Sequence, residues 1–250
     1  MKMRFMEKIV IVTGAGSGIG QAIAIAFAKE GANLVLASRS IEKGDTSKHI
    51  QDLGRRALAI KTDVGVQEQV EAMVNKAIME FGRIDVLVNN AWWMNFVPTE
   101  LSDMEPEAVE AQTNTFKGYI NTVRAVLPHM KEKKYGRIIN ITSIGGKIKN
   151  PMWPVYGALK AGVAHFTRCA CEVLARDGIT INCVGPGLIN DNATKRVFTE
   201  EGTAGMAAMI PVGRIGDLKD ITRAVLFMAD DEAGFITGQE LTVCGGQSPY

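Results

Sequence analysis

No segment of this chain stays apolar for long. A bilayer-spanning helix needs about 20 apolar residues in a row, and every apolar run here is cut by charge, glycine or polar residues well before that. Neither sign of charge is in excess: 28 Lys and Arg stand against 27 Asp and Glu. That balance offers nothing to a nucleic acid or another polyanion. Cysteine is scarce, with thiols only at Cys169, Cys171, Cys183 and Cys244. No Cys/His set has zinc spacing, so no metal site is expected, and the thiols read as buried and reduced. Cys169 and Cys171, two apart in a helical stretch, point apart. The opening Met1-Lys2-Met3-Arg4-Phe5-Met6-Glu7-Lys8 leads straight into a short apolar run, which serves better as a first strand than as a secretory leader. Linkers, repeats and low-complexity stretches are missing. These absences leave a soluble cytoplasmic protein of one α/β domain over residues 1–250.

What is present is regular alternation. Lys8–Thr13 is continuously apolar, as a strand buried on both faces must be. A helix over Ile19–Glu30 follows, ended by Gly31. The pattern then predicts strand Asn33–Ser38, helix Ile41–Leu53, strand Ala57–Thr62, helix Val66–Phe81 and strand Ile84–Val88. Long helices over about 105–131 and 154–177 bracket a strand at 137–142. Strand Ile179–Val184, helix Asp217–Ala229 and strand Glu240–Val243 complete the chain. Such βα alternation gives a doubly wound parallel sheet with helices on both faces, a three-layer α/β/α architecture. The least regular stretch, 187–213, is a candidate lid over a site.

The first strand ends in Thr13-Gly14-Ala15-Gly16-Ser17-Gly18-Ile19-Gly20. Glycines between a strand and a helix allow a tight turn and bring backbone N–H groups and the helix N-terminus to a pyrophosphate. An ordinary βα turn is the plain alternative. The end of the second strand selects the nucleotide: an acid there would hold the ribose 2′-hydroxyl of NAD, but the sequence reads Ser38-Arg39. A serine hydroxyl and a guanidinium suit a 2′-phosphate, which favours NADP(H).

A second constellation lies further on. Ser143 closes an apolar strand, Tyr156 follows thirteen positions later, and Lys160 four after that. The i,i+4 spacing puts Tyr156 and Lys160 on one helix face. A free phenol, with a pKa of about 10, is a poor base near neutrality, and a neighbouring ammonium favours phenolate. With Ser143 holding an oxygen, the three can pass one proton to or from a C–O centre. A buried serine and a surface Tyr/Lys pair would read the same in isolation.

Taken together these pieces resemble the short-chain dehydrogenase/reductase family, in its single-domain Rossmann-fold form, over nearly the whole chain. The resemblance rests on the glycine loop, Asp63-Val64, Asn89-Asn90-Ala91, Asn114, Ser143, Tyr156, Lys160, Pro186-Gly187, Gly238-Gln239-Glu240-Leu241 and Gly245-Gly246. It implies a cofactor held by Gly14, Ser17, Gly18, Ile19, Gly20, Ser38, Arg39, Asp63, Val64, Asn90, Ala91, Tyr156, Lys160, Pro186, Gly187 and Ile189. It also implies a reaction in which Ser143 holds the carbonyl oxygen and Tyr156 gives the proton. Lys160 lowers the tyrosine pKa and binds the nicotinamide ribose, and Asn114 positions a relay water. A homotetramer built on the two long helices is implied as well, the run Ala161-Gly162-Val163-Ala164 being small enough for close helix approach.

Three positions depart from that pattern: Trp92 for a glycine, Asp191 for a threonine that Thr194 could replace, and Cys244 for an aspartate. Trp92 should either push its loop outward or narrow the nicotinamide end. The resemblance also brings residues 92–96 over the site. Trp92, Trp93, Met94, Gly145, Met152, Trp153 and Leu188 then line the substrate pocket as an aromatic, thioether-rich wall suited to bulky apolar or cyclic ketones. Packing in a core gap or subunit interface is the alternative for the tryptophans. Two rival functions stay open. One is reduction of a 3-oxoacyl thioester, with Lys131, Lys133 and Lys134 drawing an acidic carrier protein. The other is a non-catalytic assembly subunit, motivated by Trp92 and Asp191.

Overall fold

The structure is a computed structural model and describes residues 3–93, 99–191, 194 and 200–248. Met94 of the expected pocket, and the middle of the stretch expected to be a lid, lie outside the described residues. Seven strands form one parallel sheet: β1 (Ile9–Thr13), β2 (Asn33–Ser38), β3 (Ala57–Lys61), β4 (Val86–Asn89), β5 (Gly136–Ile141), β6 (Ile179–Pro186) and β7 (Glu240–Val243). Their order is β3-β2-β1-β4-β5-β6-β7. The chain starts in the middle, winds out one way, and returns to wind out the other. Strand order therefore reverses between β1 and β4, where a crevice opens beyond the carboxyl ends of the strands.

The alternation of side chains along β1 shows why both faces must be covered. Val10 and Val12 join Leu34, Leu36, Val86 and Val88 under helices α1 (Gly18–Lys29), α2 (Thr46–Asp52) and α7 (Leu218–Ala229), through Ile23, Phe27, Ile50, Ile221 and Val225. Ile9 and Ile11 point the other way, with Val35, Leu87, Ile138 and Ile181. They meet α3 (Gln67–Phe81) through Val70, Met73 and Val74, α4 (Pro106–Glu132) through Val123, Val126 and Met130, and α5 (Pro154–Leu174) through Leu174. α6 (Glu200–Met209) lies in the stretch between β6 and α7. Among the described residues no helix is long and apolar enough to cross a membrane.

The sheet and helix boundaries follow the sequence pattern with informative departures. The single helix expected over Ile41–Leu53 is a 3-10 turn, Ile41–Lys43, and a separate α2. Gly44 breaks it because the chain passes against the glycine loop there: a Cβ on Gly44 would sit 2.8 Å from the Gly16 carbonyl oxygen. β6 runs two residues further than expected and carries Pro186 to the crevice. The helix expected to reach 177 ends as α5 at Leu174 and tightens into a 3-10 turn. The expectation of buried thiols fails for Cys169, which is exposed on α5 with Sγ 3.5 Å from His165 Nε2; only Cys183 is fully buried, and all four are free. The small run on α5 packs within the chain. Val163 and Ala164 are buried, and Gly162 faces the Phe116 ring of α4.

Beneath the crevice a buried polar chain locks the long helices to the sheet. Asn89 Nδ2 donates to Asn140 Oδ1 at 3.0 Å, Thr122 Oγ1 to Asn89 Oδ1 at 2.7 Å, and Asn140 Nδ2 to Thr167 Oγ1 at 2.9 Å. Such a fully satisfied network ties β4, β5, α4 and α5 into one frame. Residues at their upper ends inherit its rigidity.

Candidate active site

The crevice is a cleft of about 1110 Å³. Every candidate site residue among those described lines it, from Gly14 through Ser38, Asp63, Asn90, Asn114, Ser143, Tyr156 and Lys160 to Ile189. Lys43, Thr62, Thr115 and Gln247 also line it, and were not singled out from the sequence. Lys43 had a local signal, a second cation four residues beyond Arg39. The others carry no motif and reach the cleft through topology alone.

At one end the cleft is backbone. Gly14 has φ +67°, and a Cβ on it would lie 2.7 Å from the Asn90 amide nitrogen; a Cβ on Gly20 would run into the Gly14 carbonyl. Thr13 fixes the loop to the exit of β4: its Oγ1 accepts from the Asn90 and Ala91 backbone N–H groups at 3.0 and 3.1 Å. α1 then begins with no side-chain cap on its first N–H groups and no acid in its first turn. An uncapped helix N-terminus opening into a cleft fits a pyrophosphate. At the end of β2, Ser38 Oγ accepts from Ser40 N–H at 3.3 Å and Arg39 is exposed on the cleft rim. Asp63 turns back on its own chain, with Oδ1 accepting from Gly65 N–H at 2.9 Å.

At the other end the cleft is crowded side chain. Ser143 follows β5 and its Oγ accepts from Gly145 N–H at 3.0 Å. Gly145 packs under the Tyr156 ring, where a Cβ would come within 2.9 Å of it. Burial pushes the Tyr156 phenol up, the hydrogen bond with Ser143 opposes that, and the charge of Asp191 adds to the rise. Lys160 is 3% exposed. Burial brings it down to about 7. Its Nζ donates to the Ile141 carbonyl at 2.8 Å and to the Tyr119 hydroxyl at 3.3 Å. Tyr119, buried on α4, in turn donates to the same carbonyl at 2.9 Å. In this arrangement Lys160 donates to a strand carbonyl and to a second tyrosine, and its Nζ lies 5.8 Å from the centroid of the Tyr156 ring.

Trp92 turns into this end of the cleft. Its indole lies over Lys160, with Nζ 3.9 Å from the ring centroid, and edge-on to Tyr156 at 5.5 Å. Trp153 meets Tyr156 edge-on at 6.1 Å. A side cavity of about 170 Å³ opens beside it, lined by Trp93, Met152, Trp153 and Tyr156 and, from the far wall, Asp103, Glu105 and Gln112. Of the stretch expected to cover the site, α6 contributes Met206 and Met209 to the cleft wall. Asp191 lies over the start of α1, its Oδ2 3.5 Å from where a Gly18 Cβ would be, and its Oδ1 accepts from Thr194 N–H at 2.9 Å. The lysines considered as a carrier-protein attractor, Lys131, Lys133 and Lys134, precede β5. They therefore lie at the amino-terminal end of the strands, opposite the cleft, and Lys131 pairs with Asp177 at 3.1 Å.

A parallel sheet with its crevice at the switch point, a glycine loop, and a Ser–Tyr–Lys set at one end define an oxidoreductase of the nicotinamide-binding Rossmann class. Comparison with known proteins gives the same family. The family model described as Enoyl-(Acyl carrier protein) reductase matches residues 14–248. The 3-oxoacyl-[acyl-carrier-protein] reductase FabG of Haemophilus influenzae is 40% identical, over 96% of this chain and 97% of that one. A (2S)-[(R)-hydroxy(phenyl)methyl]succinyl-CoA dehydrogenase subunit, BbsD of Thauera aromatica, is 38% identical over 99% of each chain. Among solved structures, levodione reductase superposes with a TM-score of 0.94 at 28% identity, covering 99% of this chain and 100% of that one. A 7α-hydroxysteroid dehydrogenase with NADH and 7-oxo glycochenodeoxycholic acid gives 0.89 at 31%, covering 100% and 97%. The chain belongs to the short-chain dehydrogenase/reductase family, whose members bind a nicotinamide cofactor.

Proposed function

We propose that this chain is an NADP(H)-dependent oxidoreductase that interconverts a ketone and a secondary alcohol, acting on a bulky apolar or cyclic substrate. The observation that carries the reading is the hydrogen-bonded Ser143–Tyr156 pair inside the cleft that also holds the glycine loop and Lys160. The cofactor supplies the hydride. Ser143 holds the substrate oxygen, and Tyr156 gives that oxygen a proton during reduction or takes one during oxidation. A buried phenol pushed above its usual range stays protonated and is ready as an acid. Lys160, once its ammonium faces the cleft, binds the nicotinamide-side ribose and draws the phenol down, and Asn114 on α4 positions the relay water. The glycine loop and the start of α1 take the pyrophosphate, and Asp63 and Val64 flank the adenine. Ser38 and Arg39, with Lys43 on the same rim, support NADP(H), because no carboxylate stands at the end of β2 to hold a free 2′-hydroxyl.

The substrate class follows from the side cavity. Trp93, Met152 and Trp153 make an apolar, aromatic wall beside the proton donor. Two relatives have a ring named in their substrates, a phenyl group and a steroid. A 3-oxoacyl thioester is the second reading, favoured by the FabG relatives at near full length. Against it, Asp103 and Glu105 put negative charge beside the side cavity, which disfavours an anionic carrier or coenzyme. The test is a kinetic panel with NADPH and NADH against ring ketones, short polar ketones and 3-oxoacyl thioesters. It is run on the wild type, Trp93→Ala, Trp153→Ala and the pair Ser38→Asp/Arg39→Ala. Ring ketones with NADPH should give the highest kcat/KM, and either tryptophan variant should lower it. The charge-assisted contact of Arg39 is worth roughly 1.5–3 kcal/mol, so the double variant should swing preference toward NADH by at least tenfold. Equal use of both cofactors by the wild type would sink the NADP assignment. Best turnover on thioesters, unmoved by the tryptophan variants, would replace the substrate class.

A further inference from the structure

Trp92 stands where the family pattern has glycine, and its indole turns into the cleft. Lys160 Nζ lies 3.9 Å from the ring centroid, and the ring also meets Tyr119 at 6.1 Å and Tyr156 at 5.5 Å. An ammonium has three N–H groups. The Ile141 carbonyl takes one at 2.8 Å and the Tyr119 hydroxyl another at 3.3 Å. The face of Trp92 answers the third as a cation–π partner. Every donor of Lys160 is thus engaged within the chain, and a ribose hydroxyl must displace one partner to be held. The carbonyl belongs to β5, and Tyr119 is itself pinned to that carbonyl. The indole has no such tether. Among the described residues its Nε1 is buried without a hydrogen-bond partner, and rotation toward solvent would restore the hydration that burial removes. Attraction to the ammonium and the edge contacts hold the ring in, and the orphaned N–H favours its leaving.

We propose that Trp92 governs cofactor access to Lys160: the indole caps the ammonium in the free chain and leaves it when the nicotinamide half of the cofactor binds. The proposal rests on reading Lys160 as the ribose-binding residue. It makes Trp92 a positioning residue that weakens binding of an intact dinucleotide while leaving the adenine half untouched.

Calorimetric titration of the full chain tests this, with NADPH, NADH, 2′,5′-ADP and ADP as ligands and wild type, Trp92→Phe and Trp92→Gly as proteins. Trp92→Gly should tighten the preferred dinucleotide by about 5- to 30-fold, the equivalent of losing a desolvated cation–π contact. Trp92→Phe should fall between, and both ADP ligands should bind all three proteins alike. A second measurement does not depend on removing the indole. Trp93→Phe with Trp153→Phe leaves Trp92 as the sole one of three tryptophans. Its emission should move to the red, and become open to acrylamide quenching, on addition of the oxidised dinucleotide but not of ADP. Wild-type dinucleotide affinity in both Trp92 variants overturns the proposal, as does unmoved emission at saturation. An equal gain for the ADP ligands also overturns it, because the cleft would then have loosened as a whole. If no protein in the series, wild type included, binds either dinucleotide, the cofactor reading itself falls and this proposal with it.

Discussion

At the glycine-loop end the cleft is walled by backbone; at the other end it is walled by large side chains, Trp92, Tyr156 and Lys160, with Tyr119 buried behind them. The first end works by what is missing. Gly14 and Gly20 carry no Cβ, so the loop can fold onto the exit of β4 and expose the N-terminus of α1. The second works by what is present and how it is oriented. The Lys160 ammonium is shared among the Ile141 carbonyl, the Tyr119 hydroxyl and the Trp92 ring, and its chemistry depends on which of them it keeps. Backbone sites tolerate little variation and are prepared before a ligand arrives. Side-chain sites hold alternatives, and one side chain can change which is populated.

The largest effect expected from breaking this contrast is at Tyr156. Tyr156→Phe keeps the ring, and with it the edge contacts to Trp92 and Trp153, while removing the transferable proton. A general acid–base group contributes about 10²–10⁴-fold, so kcat should fall by that factor. Cofactor affinity, measured by calorimetry, should stay near wild type. A variant that retains wild-type kcat would show that the phenol is not the acid.

The same contrast explains what could be read before any coordinates. The glycine loop, the parallel sheet and the Ser143/Tyr156/Lys160 grouping are legible in the sequence because they depend on βα alternation, helix periodicity and backbone space, all of which leave a mark at fixed spacing. The face alternation along β1, with Val10 and Val12 on one side and Ile9 and Ile11 on the other, is visible as an unbroken apolar run. What was not legible is whatever depends on a rotamer. That Trp92 turns onto Lys160, that Lys160 and Tyr119 share the Ile141 carbonyl, and that Gln112 faces the side cavity have no signature in spacing. The break at Gly44 was missed for a different reason. The helix pattern over 41–53 is locally sound, and only the approach of the Gly16 carbonyl, distant in sequence, interrupts it.

A smaller effect should follow from filling the backbone end. Gly20→Ala introduces a methyl group into the Gly14 carbonyl, and overpacking of this kind costs about 1–3 kcal/mol. The α1 start must shift, so dinucleotide and ADP affinity should fall together, by roughly 5- to 150-fold on that scale. This is the opposite signature to Trp92→Gly, which separates the two ligands. If Gly20→Ala weakened the dinucleotide alone, the loop would not be the phosphate cradle and the division of the cleft into two ends would be wrong.

The smallest effect concerns the cost of keeping Lys160 buried, and it is read in stability. Its ammonium is desolvated down to about 7 in the folded chain, against about 10.4 for an unperturbed lysine. Below pH 7 both states carry the proton and the folded chain bears the full burden. Between about pH 7 and 10 the folded chain releases that proton while the unfolded chain keeps it. The unfolded state then binds more protons, and stability rises with pH, by at most about 1.4 kcal/mol per unit from this group. Cys183 acts in the other direction at higher pH. Burial holds its thiol up at about 12, so the unfolded chain loses that proton first and stability falls above roughly pH 9. The clean window is therefore pH 7 to 8.5. The Trp92 face, by favouring the charged form, should make the slope shallower than burial alone would give. Lys160→Met removes the titration and keeps most of the volume. Urea unfolding at half-unit steps across that window should show wild-type stability rising relative to Lys160→Met, and the rise should steepen in Trp92→Gly. A flat difference between wild type and Lys160→Met would mean that Lys160 keeps its proton in the folded chain, with the Trp92 and Tyr119 contacts outweighing its burial.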